Sequence, residues 1–208
     1  MSIMKTRKIA DIALFAGLSV AITILGIEIP YPILPYLKFD IAEIPIVILF
    51  FLEGFLASFV AETLHWIMLS ISRGWVLGPF MKFISIVSML TGFWISAKFY
   101  KKISSNFKLE KIFLICLTGG ITIRVIVTSI ANIIVLLIIA PQFLHFAGIL
   151  LSNLGFSTSS SNAILILTLI FTALFNILHV FVSSIIMFFL IKHPIVKEKV
   201  ITQLQENT

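Results

Sequence analysis

Charged residues are scarce in this sequence. Asp, Glu, Lys and Arg make up 12% of its 208 residues, whereas a soluble domain usually has about 25%. Hydrophobic residues make up 60%, and the mean hydropathy is +1.16. Lipid is the solvent that suits so apolar a surface, so the composition excludes a soluble globular protein. It predicts a polytopic membrane protein with a single integral domain over residues 1–208.

Cysteine and the common catalytic motifs are nearly absent as well. Cys116 is the single cysteine and lies in an apolar run, which excludes an intrachain disulfide and a thiolate metal cluster. The sequence has no Gly-x-x-x-x-Gly-Lys-Ser/Thr phosphate loop and no Gly-x-Ser-x-Gly nucleophile motif. We therefore expect that the protein is not an enzyme and that it holds no resident cofactor. Energy for any transport must come from a partner or a gradient.

The apolar runs predict six membrane spans. Four runs exceed the roughly 18 residues that a spanning helix needs, namely 9–27, 77–97, 112–140 and 163–191. The run 44–71 is too long for one ordinary span and too short for two. A break at Glu53-Gly54 divides it into a short helix over 44–52 and a longer one over 55–71. The short helix cannot cross about 30 Å of hydrocarbon and must pack among its neighbours.

Basic residues decide between six spans and five. With six spans, eleven Lys and Arg residues lie on one side and two, Lys38 and Arg73, lie on the other, whereas five spans leave nine against four. The positive-inside rule favours six spans with both termini cytoplasmic. We therefore predict an all-α bundle of six transmembrane helices in the cell membrane. The cytoplasmic residues are Lys5, Arg7, Lys8, Lys98, Lys101, Lys102, Lys108, Lys111, Lys192, Lys197 and Lys199.

Two extracellular loops, 28–43 and 141–162, are predicted to act as lids. The first contains three prolines, which stiffen it, and the aromatic rings of Tyr31 and Tyr36. The second contains a serine and threonine run at 157–161, for which a plain linker is the alternative interpretation. The tail after Lys192 is predicted to be a short polar cytoplasmic end.

Pairs of polar side chains inside the predicted spans are candidates for a ligand site, because burying them in lipid is costly. Glu62 and His65 share one helix face at spacing i, i+3, and Asn176 and His179 repeat that spacing. An amide and an imidazole supply donors and acceptors that suit the edge of a heteroaromatic ring. Structural hydrogen bonds between helices are the competing explanation for each pair.

A polar stripe of Arg124, Thr128 and Asn132 steps along another span at intervals of four residues. An arginine at such a depth must face the bundle interior or snorkel to the membrane surface. Asn132 lies near the outer end of its helix, which suits the wall of an outward-facing pocket. An interhelical hydrogen bond is the alternative role for this side chain.

Small residues form a ridge on the first span. Ala13, Gly17 and Ala21 recur every four residues, a pattern that lets another helix approach closely. The partner helix can belong to another subunit or to this bundle, and the pattern alone leaves both open.

Several segments match motifs of one transporter family. Residues 37–45 have the sequence Leu-Lys-Phe-Asp-Ile-Ala-Glu-Ile-Pro. Arg124 and Asn132 begin and end the run Arg-Val-Ile-Val-Thr-Ser-Ile-Ala-Asn, and residues 175–179 have the sequence Phe-Asn-Ile-Leu-His. Together with the ridge, these segments resemble the S components of energy-coupling factor vitamin transporters, above all the riboflavin-specific members. Four positions depart from the family pattern. Ala42 and Glu43 replace a Ser-Asp pair, His179 stands in the place of a lysine, and His65 stands where relatives often have lysine.

The resemblance implies a bundle that binds a flavin from outside and then associates with a transmembrane coupling subunit and two ATPase subunits. It implies that polar residues bind the edge of the flavin ring, that the first loop is anchored over the pocket, and that the ridge docks on the coupling subunit. The implied substrate-binding residues are Asn132, Asn176, His179, Glu62, His65, Asp40, Lys38 and Tyr36, and the docking residues are Ala13, Gly17 and Ala21.

Three other functions remain open at this point. The same fold can bind another heterocyclic vitamin or precursor, which the two histidine departures favour. A membrane metalloenzyme built on Glu62, His65 and His179 is an alternative of another class, although the chain has only four histidines and no His-Glu-x-x-His motif. A purely structural membrane subunit is the third. No nucleic-acid partner is expected.

Overall fold

The computed structural model describes residues 2–103 and 109–207 of the chain. Lys108, one of the predicted cytoplasmic residues, lies outside this part. The described residues form eight α-helices, a π-helical turn and a two-stranded hairpin. These elements are α1 (Ser2–Leu25), β1 (Glu28–Pro30), β2 (Lys38–Asp40), α2 (Glu43–Glu53), α3 (Phe55–Arg73), α4 (Leu77–Ile103), α5 (Leu109–Ile134), the π turn (Val135–Ile139), α6 (Gln142–Asn153), α7 (Ser161–Ile191) and α8 (Pro194–Asn207).

The predicted fold class is confirmed. Within the described residues, five helices are long and apolar enough to cross a membrane, and they correspond to α1, α3, α4, α5 with its π turn, and α7. α2 has 11 residues, which span about 16 Å at helical rise and fall well short of a bilayer. Its side chains are instead buried between the long helices. The bundle thus has six membrane helices, of which the second is short.

A glycine separates the second and third helices. Gly54 has φ +89°, a conformation that disfavours residues with a side chain, and its N–H donates to the carbonyl oxygen of Phe50 at 2.9 Å. α2 therefore ends at Glu53 and α3 starts at Phe55. The break lies at the position that the sequence predicts.

The core lies where α2, α4 and α5 meet. Phe50, Phe51 and Phe93 are almost fully buried, and their ring centroids lie 5.1 to 5.9 Å apart. Cys116 is buried in the same cluster. α4 and α5 approach closely because Gly92 faces Gly119 and Gly120, a contact that no sequence pattern predicted.

The predicted first loop contains an antiparallel hairpin. Glu28 pairs with Asp40 and Pro30 pairs with Lys38. Tyr31 and Leu34, between the strands, are buried in a second apolar cluster with Phe175 of α7. The hairpin is therefore packed against the bundle by its own apolar residues.

The predicted second loop differs from the expectation, because much of it is helical. Residues Gln142–Asn153 form α6, and Ala147 and Leu151 are buried against α7. The serine run has a definite role near its end, since the hydroxyl of Ser160 accepts a hydrogen bond from the N–H of Ala163 at 3.2 Å and caps α7. We call the end of the bundle with the hairpin and α6 the hairpin end.

The polar tail is also helical. Lys199 of α8 lies 2.6 Å from Glu53 and 3.4 Å from Asp11, so α8 is held to α2 and α1 at the end opposite the hairpin. Val200, also in α8, is fully buried.

Candidate functional site

A cavity of about 310 Å³ opens at the hairpin end of the bundle. The hairpin, α3, α4, α5 and α7 all contribute to its wall. Most of the surface that its wall exposes is apolar, although many of the residues in the wall carry a polar group. Small-molecule sites typically combine an apolar surface with placed polar groups. The polar and charged residues in the wall are Glu28, Tyr36, Lys38, Asp40, Glu43, Arg73, Lys82, Ser85, Arg124, Thr128, Asn132, Thr172, Asn176 and His179.

Arg124 is the centre of the polar wall. Its Nη1 donates to Glu43 Oε2 at 2.9 Å, its Nε donates to Asn176 Oδ1 at 2.9 Å, and its Nη2 donates to His179 Nδ1 at 3.2 Å. The residue is only 2% exposed. An arginine so deeply buried needs a counter-ion, which Glu43 supplies. The polar stripe predicted on α5 therefore faces the interior.

Glu43 is fully buried at the start of α2. Its second carboxylate oxygen, Oε1, accepts a hydrogen bond from the Ser183 hydroxyl at 2.5 Å and lies 3.7 Å from His179 Nε2. Glu43 lies within the motif at residues 37–45 but is not among the predicted substrate-binding residues. The signal was available, since an arginine inside an apolar span requires a buried acid.

The hydrogen bonds of His179 define its protonation. Nδ1 accepts from the guanidinium of Arg124, so this nitrogen carries no proton. Nε2 lies 2.9 Å from the backbone oxygen of Asp40, an acceptor, and therefore carries the proton. His179 is thus assigned as a neutral imidazole that joins α7 to the hairpin.

The two asparagines of the predicted site have different hydrogen bonding. Asn176 Oδ1 accepts from Arg124, and its Nδ2 donates to Thr128 Oγ1 at 3.2 Å and to the Thr172 oxygen at 2.9 Å. Its amide is therefore saturated by the protein. Asn132 Nδ2 donates to the Thr128 oxygen at 2.8 Å, and its Oδ1 has no partner among the described residues. Asn132 can offer that oxygen to a ligand.

Asp40 and Lys82 form a second ion pair in the wall, 2.7 Å long. The other carboxylate oxygen of Asp40 accepts from the N–H of Ala42 at 3.0 Å, which fixes the entry to α2. Burial by itself raises the pKa of Asp40, but the charge and hydrogen bond of Lys82 and the hydrogen bond from the Ala42 N–H outweigh it and hold that pKa below its ordinary value. Lys82 lies within the predicted span 77–97 but is not among the predicted substrate-binding residues. A lysine inside a membrane span is by itself an indication of a functional site.

The mouth of the cavity contains three charged side chains. Glu28 of β1 binds Lys38 of β2 through Oε1 and Arg73 at the end of α3 through Oε2, the latter at 3.3 Å. Burial alone raises the pKa of Glu28, but the two cations outweigh it and lower that pKa.

Aromatic side chains surround the same mouth. Tyr36 lies with its ring centroid 6.3 Å from that of Phe146 in α6, and Trp75 lies 6.1 Å from Phe143. Tyr36, Trp75 and Phe143 line the cavity. They offer flat apolar surfaces to a ligand.

Six of the eight predicted substrate-binding residues line this cavity, and two do not. Glu62 and His65 belong to the interface between α3 and α1, where His65 Nδ1 lies 3.1 Å from Glu62 Oε2 and Nε2 lies 3.0 Å from Thr23 Oγ1. The lining residues are Tyr36, Lys38, Asp40, Asn132, Asn176 and His179. Spacing predicts the shared face of Glu62 and His65 but not the neighbour that this face meets.

The residues of the metalloenzyme alternative are not assembled into a metal site. Within residues 2–103 and 109–207, no group of three His, Cys, Asp or Glu side chains has metal-binding geometry. His65 is bonded to Glu62 and Thr23, whereas His179 is bonded to Arg124 and Asp40.

The small-residue ridge lies on the outer surface of α1. Ala13, Gly17 and Ala21 are exposed, and a Cβ added at Gly17 would meet no atom within 4 Å. Ala16 and Ser19 form the buried face of this helix. The ridge is therefore not used for packing inside the bundle.

The fold is similar to that of a solved structure described as the S component of a bacterial ECF transporter. The two chains share 22% sequence identity and a TM-score of 0.68, over 90% of this chain and 95% of the other. The chain is thus a multi-pass membrane protein with the all-helical fold seen in that S component. No protein-family model and no curated protein matches the sequence.

Proposed function

We propose that the chain is a substrate-binding membrane subunit of an ATP-driven vitamin uptake transporter, without catalytic activity of its own. The observation that carries this proposal is the cavity at the hairpin end, with its apolar wall and buried polar network, in a fold similar to that of an S component. A subunit of this kind binds its substrate and depends on partners for energy, in agreement with the lack of a phosphate-loop motif.

Riboflavin is the substrate that we propose. Asn132 Oδ1 is available to accept a hydrogen bond from the polar edge of the ring, and Tyr36, Trp75 and Phe143 can cover its flat faces. Another heterocyclic vitamin is the alternative, because His179 occupies the position at which the resemblance expects a lysine. Both substrates require the same combination of aromatic surface and placed polar groups.

The proposed partners are a transmembrane coupling subunit and two ATPase subunits. The exposed ridge of Ala13, Gly17 and Ala21 is the proposed contact with the coupling subunit, since small residues allow two helices to pack closely. Exposed apolar neighbours, among them Leu14 and Leu18, widen this surface.

Absorbance and flavin fluorescence test the substrate directly. Protein purified from flavin-containing cells should be yellow, and ligand-free protein should quench riboflavin fluorescence with saturable binding. Lys98→Gln is a suitable control, because Lys98 lies over the Trp94 ring and does not line the cavity. Absence of flavin binding, with binding of another heterocyclic vitamin, would replace riboflavin and leave the transport proposal standing.

The proposed orientation places both termini in the cytoplasm and the hairpin end outside. In a cysteine-free Cys116→Ala background, a cysteine at Ser159 should react with an impermeant reagent on intact cells, and one at Ser2 should not. The reverse pattern would contradict this orientation.

A further inference from the structure

The charges that line the cavity are unevenly matched. Deep in the cavity, Arg124 is paired with Glu43 and Lys82 is paired with Asp40, so each of these cations has its own carboxylate. At the mouth, Lys38 and Arg73 share the single carboxylate of Glu28. The described residues of the wall therefore comprise four cationic side chains and three acidic ones, with the excess positive charge at the mouth.

The two mouth cations also have spare hydrogen-bond donors. Glu28 uses one oxygen for Lys38 and the other for Arg73. A lysine ammonium has three donors and an arginine guanidinium has five, and neither side chain has a second acceptor among the described residues. Donors of this kind bind the oxygens of a carboxylate or phosphate more strongly than neutral acceptors.

We propose that the ligand carries an anionic oxygen group, a carboxylate or a phosphate, which binds between Lys38 and Arg73 at the mouth while its heterocycle occupies the deeper cavity. This inference rests on the proposed transport function and revises its substrate, because riboflavin itself carries neither group. The substrate becomes an anionic heterocycle, such as riboflavin 5′-phosphate. The aromatic rings of Tyr36 and Trp75 lie in the wall near these cations, so a ring system can continue inward from the anionic group.

A membrane lipid is a second source of the same chemistry. The side chains of Lys38 and Arg73 are 39% and 42% exposed, and a lipid phosphate could bind them at the bilayer surface. The position of these cations favours a ligand in the cavity over a lipid. Both are bound by Glu28 at the mouth, and all three residues line the cavity wall. The experiment must nevertheless separate the two sources.

Matched pairs of ligands test the proposal. Each pair is a heterocycle with and without an anionic group, such as riboflavin 5′-phosphate with riboflavin, or a heteroaromatic carboxylate with its amide. We expect the anionic member of the substrate's pair to bind about ten-fold more tightly at low salt, which corresponds to about 1.4 kcal/mol. The preference should shrink as salt increases, since both cations are partly exposed.

Two variants should move this preference in opposite directions. Arg73→Gln leaves Lys38 and Glu28 matched one to one, so the affinity ratio of anionic to neutral ligand should fall towards one. Glu28→Gln removes the competing carboxylate, so the ratio should rise above that of the wild type. Lys98→Gln removes a positive charge that does not line the cavity and should leave the ratio unchanged.

Equal affinities within every pair, or a preference that Arg73→Gln and Glu28→Gln leave unchanged, would overturn the inference while the proposed function stands. If no member of any pair binds, the proposed function fails and the inference fails with it. The lipid is tested in nanodiscs with neutral or anionic lipid. A preference that anionic lipid abolishes, with less lipid copurifying with Arg73→Gln than with the wild type, would assign the anion to lipid and overturn the inference.

Discussion

Arg124 Nη1 lies 2.9 Å from Glu43 Oε2, and the two side chains are 3% and 0% exposed. These residues are 81 positions apart in the chain, on α5 and at the start of α2. The ion pair therefore ties the short buried helix to a membrane-spanning one at the base of the cavity.

Breaking this pair on one side should destabilise the protein strongly. Arg124→Gln leaves Glu43 as an uncompensated buried charge, which costs about 3 to 5 kcal/mol. The double variant Arg124→Gln with Glu43→Gln removes both charges and should be more stable than the single variant. Thermal unfolding in detergent measures both, and equal or additive losses would contradict the pairing.

Asn132 and Asn176 should respond differently to truncation. Asn132→Ala removes an available acceptor from the cavity, so we expect ligand affinity to fall about ten-fold with little change in the unfolding midpoint. Asn176→Ala also removes partners of Arg124, Thr128 and Thr172, so both affinity and stability should fall. Ligand titration and thermal unfolding distinguish the two roles. A loss of stability in Asn132→Ala equal to that in Asn176→Ala would contradict the assignment.

The ridge on α1 should matter for uptake and not for binding. Gly17→Leu fills open space on the surface of the isolated protein, so its ligand affinity should match the wild type while vitamin uptake in cells is lost. Ala16→Leu is the matched control, because this neighbour is 4% exposed and a larger side chain there should reduce stability. Normal uptake by Gly17→Leu would remove the ridge from the docking surface.

The close contact between α4 and α5 should not tolerate a methyl group. A Cβ at Gly92 would lie 2.4 Å from the backbone oxygen of Gly119, so Gly92→Ala must push the helices apart. Overpacking of this kind costs about 1 to 3 kcal/mol. Gly17→Ala, where the added atom meets nothing within 4 Å, is the control and should not reduce stability. The two unfolding midpoints should differ accordingly, and identical values would refute the contact.

The contribution of Glu28 to stability should depend on pH. Its pKa in the folded protein lies below the ordinary value of 4.5, so the folded state favours the ionised carboxylate. The stabilisation is therefore complete above about pH 4.5 and is lost as the pH falls through the folded-state pKa. The difference in unfolding midpoint between the wild type and Glu28→Gln should be constant from pH 7 to about pH 5 and then shrink in acid. A difference that grows in acid would contradict the ion pairs.

Local patterns account for most of what could be predicted. The hydropathy runs locate the long helices, and the glycine after Glu53 marks the break between α2 and α3. The same patterns could not predict α6, whose helix depends on packing Ala147 and Leu151 against α7. Six of the predicted substrate-binding residues line the cavity, but Glu62 and His65 face α1 instead, because spacing does not say which helix a polar face will meet.

The sequence by itself determined a membrane protein with six apolar helices, a short second helix and polar groups that must be satisfied inside it. Composition and periodicity suffice for this, because lipid requires every buried backbone group to be paired within a helix. The tertiary structure alone decided which polar groups meet. Glu43 with Arg124, and Glu28 with Arg73, come from distant parts of the chain, 81 and 45 positions apart. Their pairing depends on how the helices and the hairpin pack, and that packing is not encoded in any local pattern.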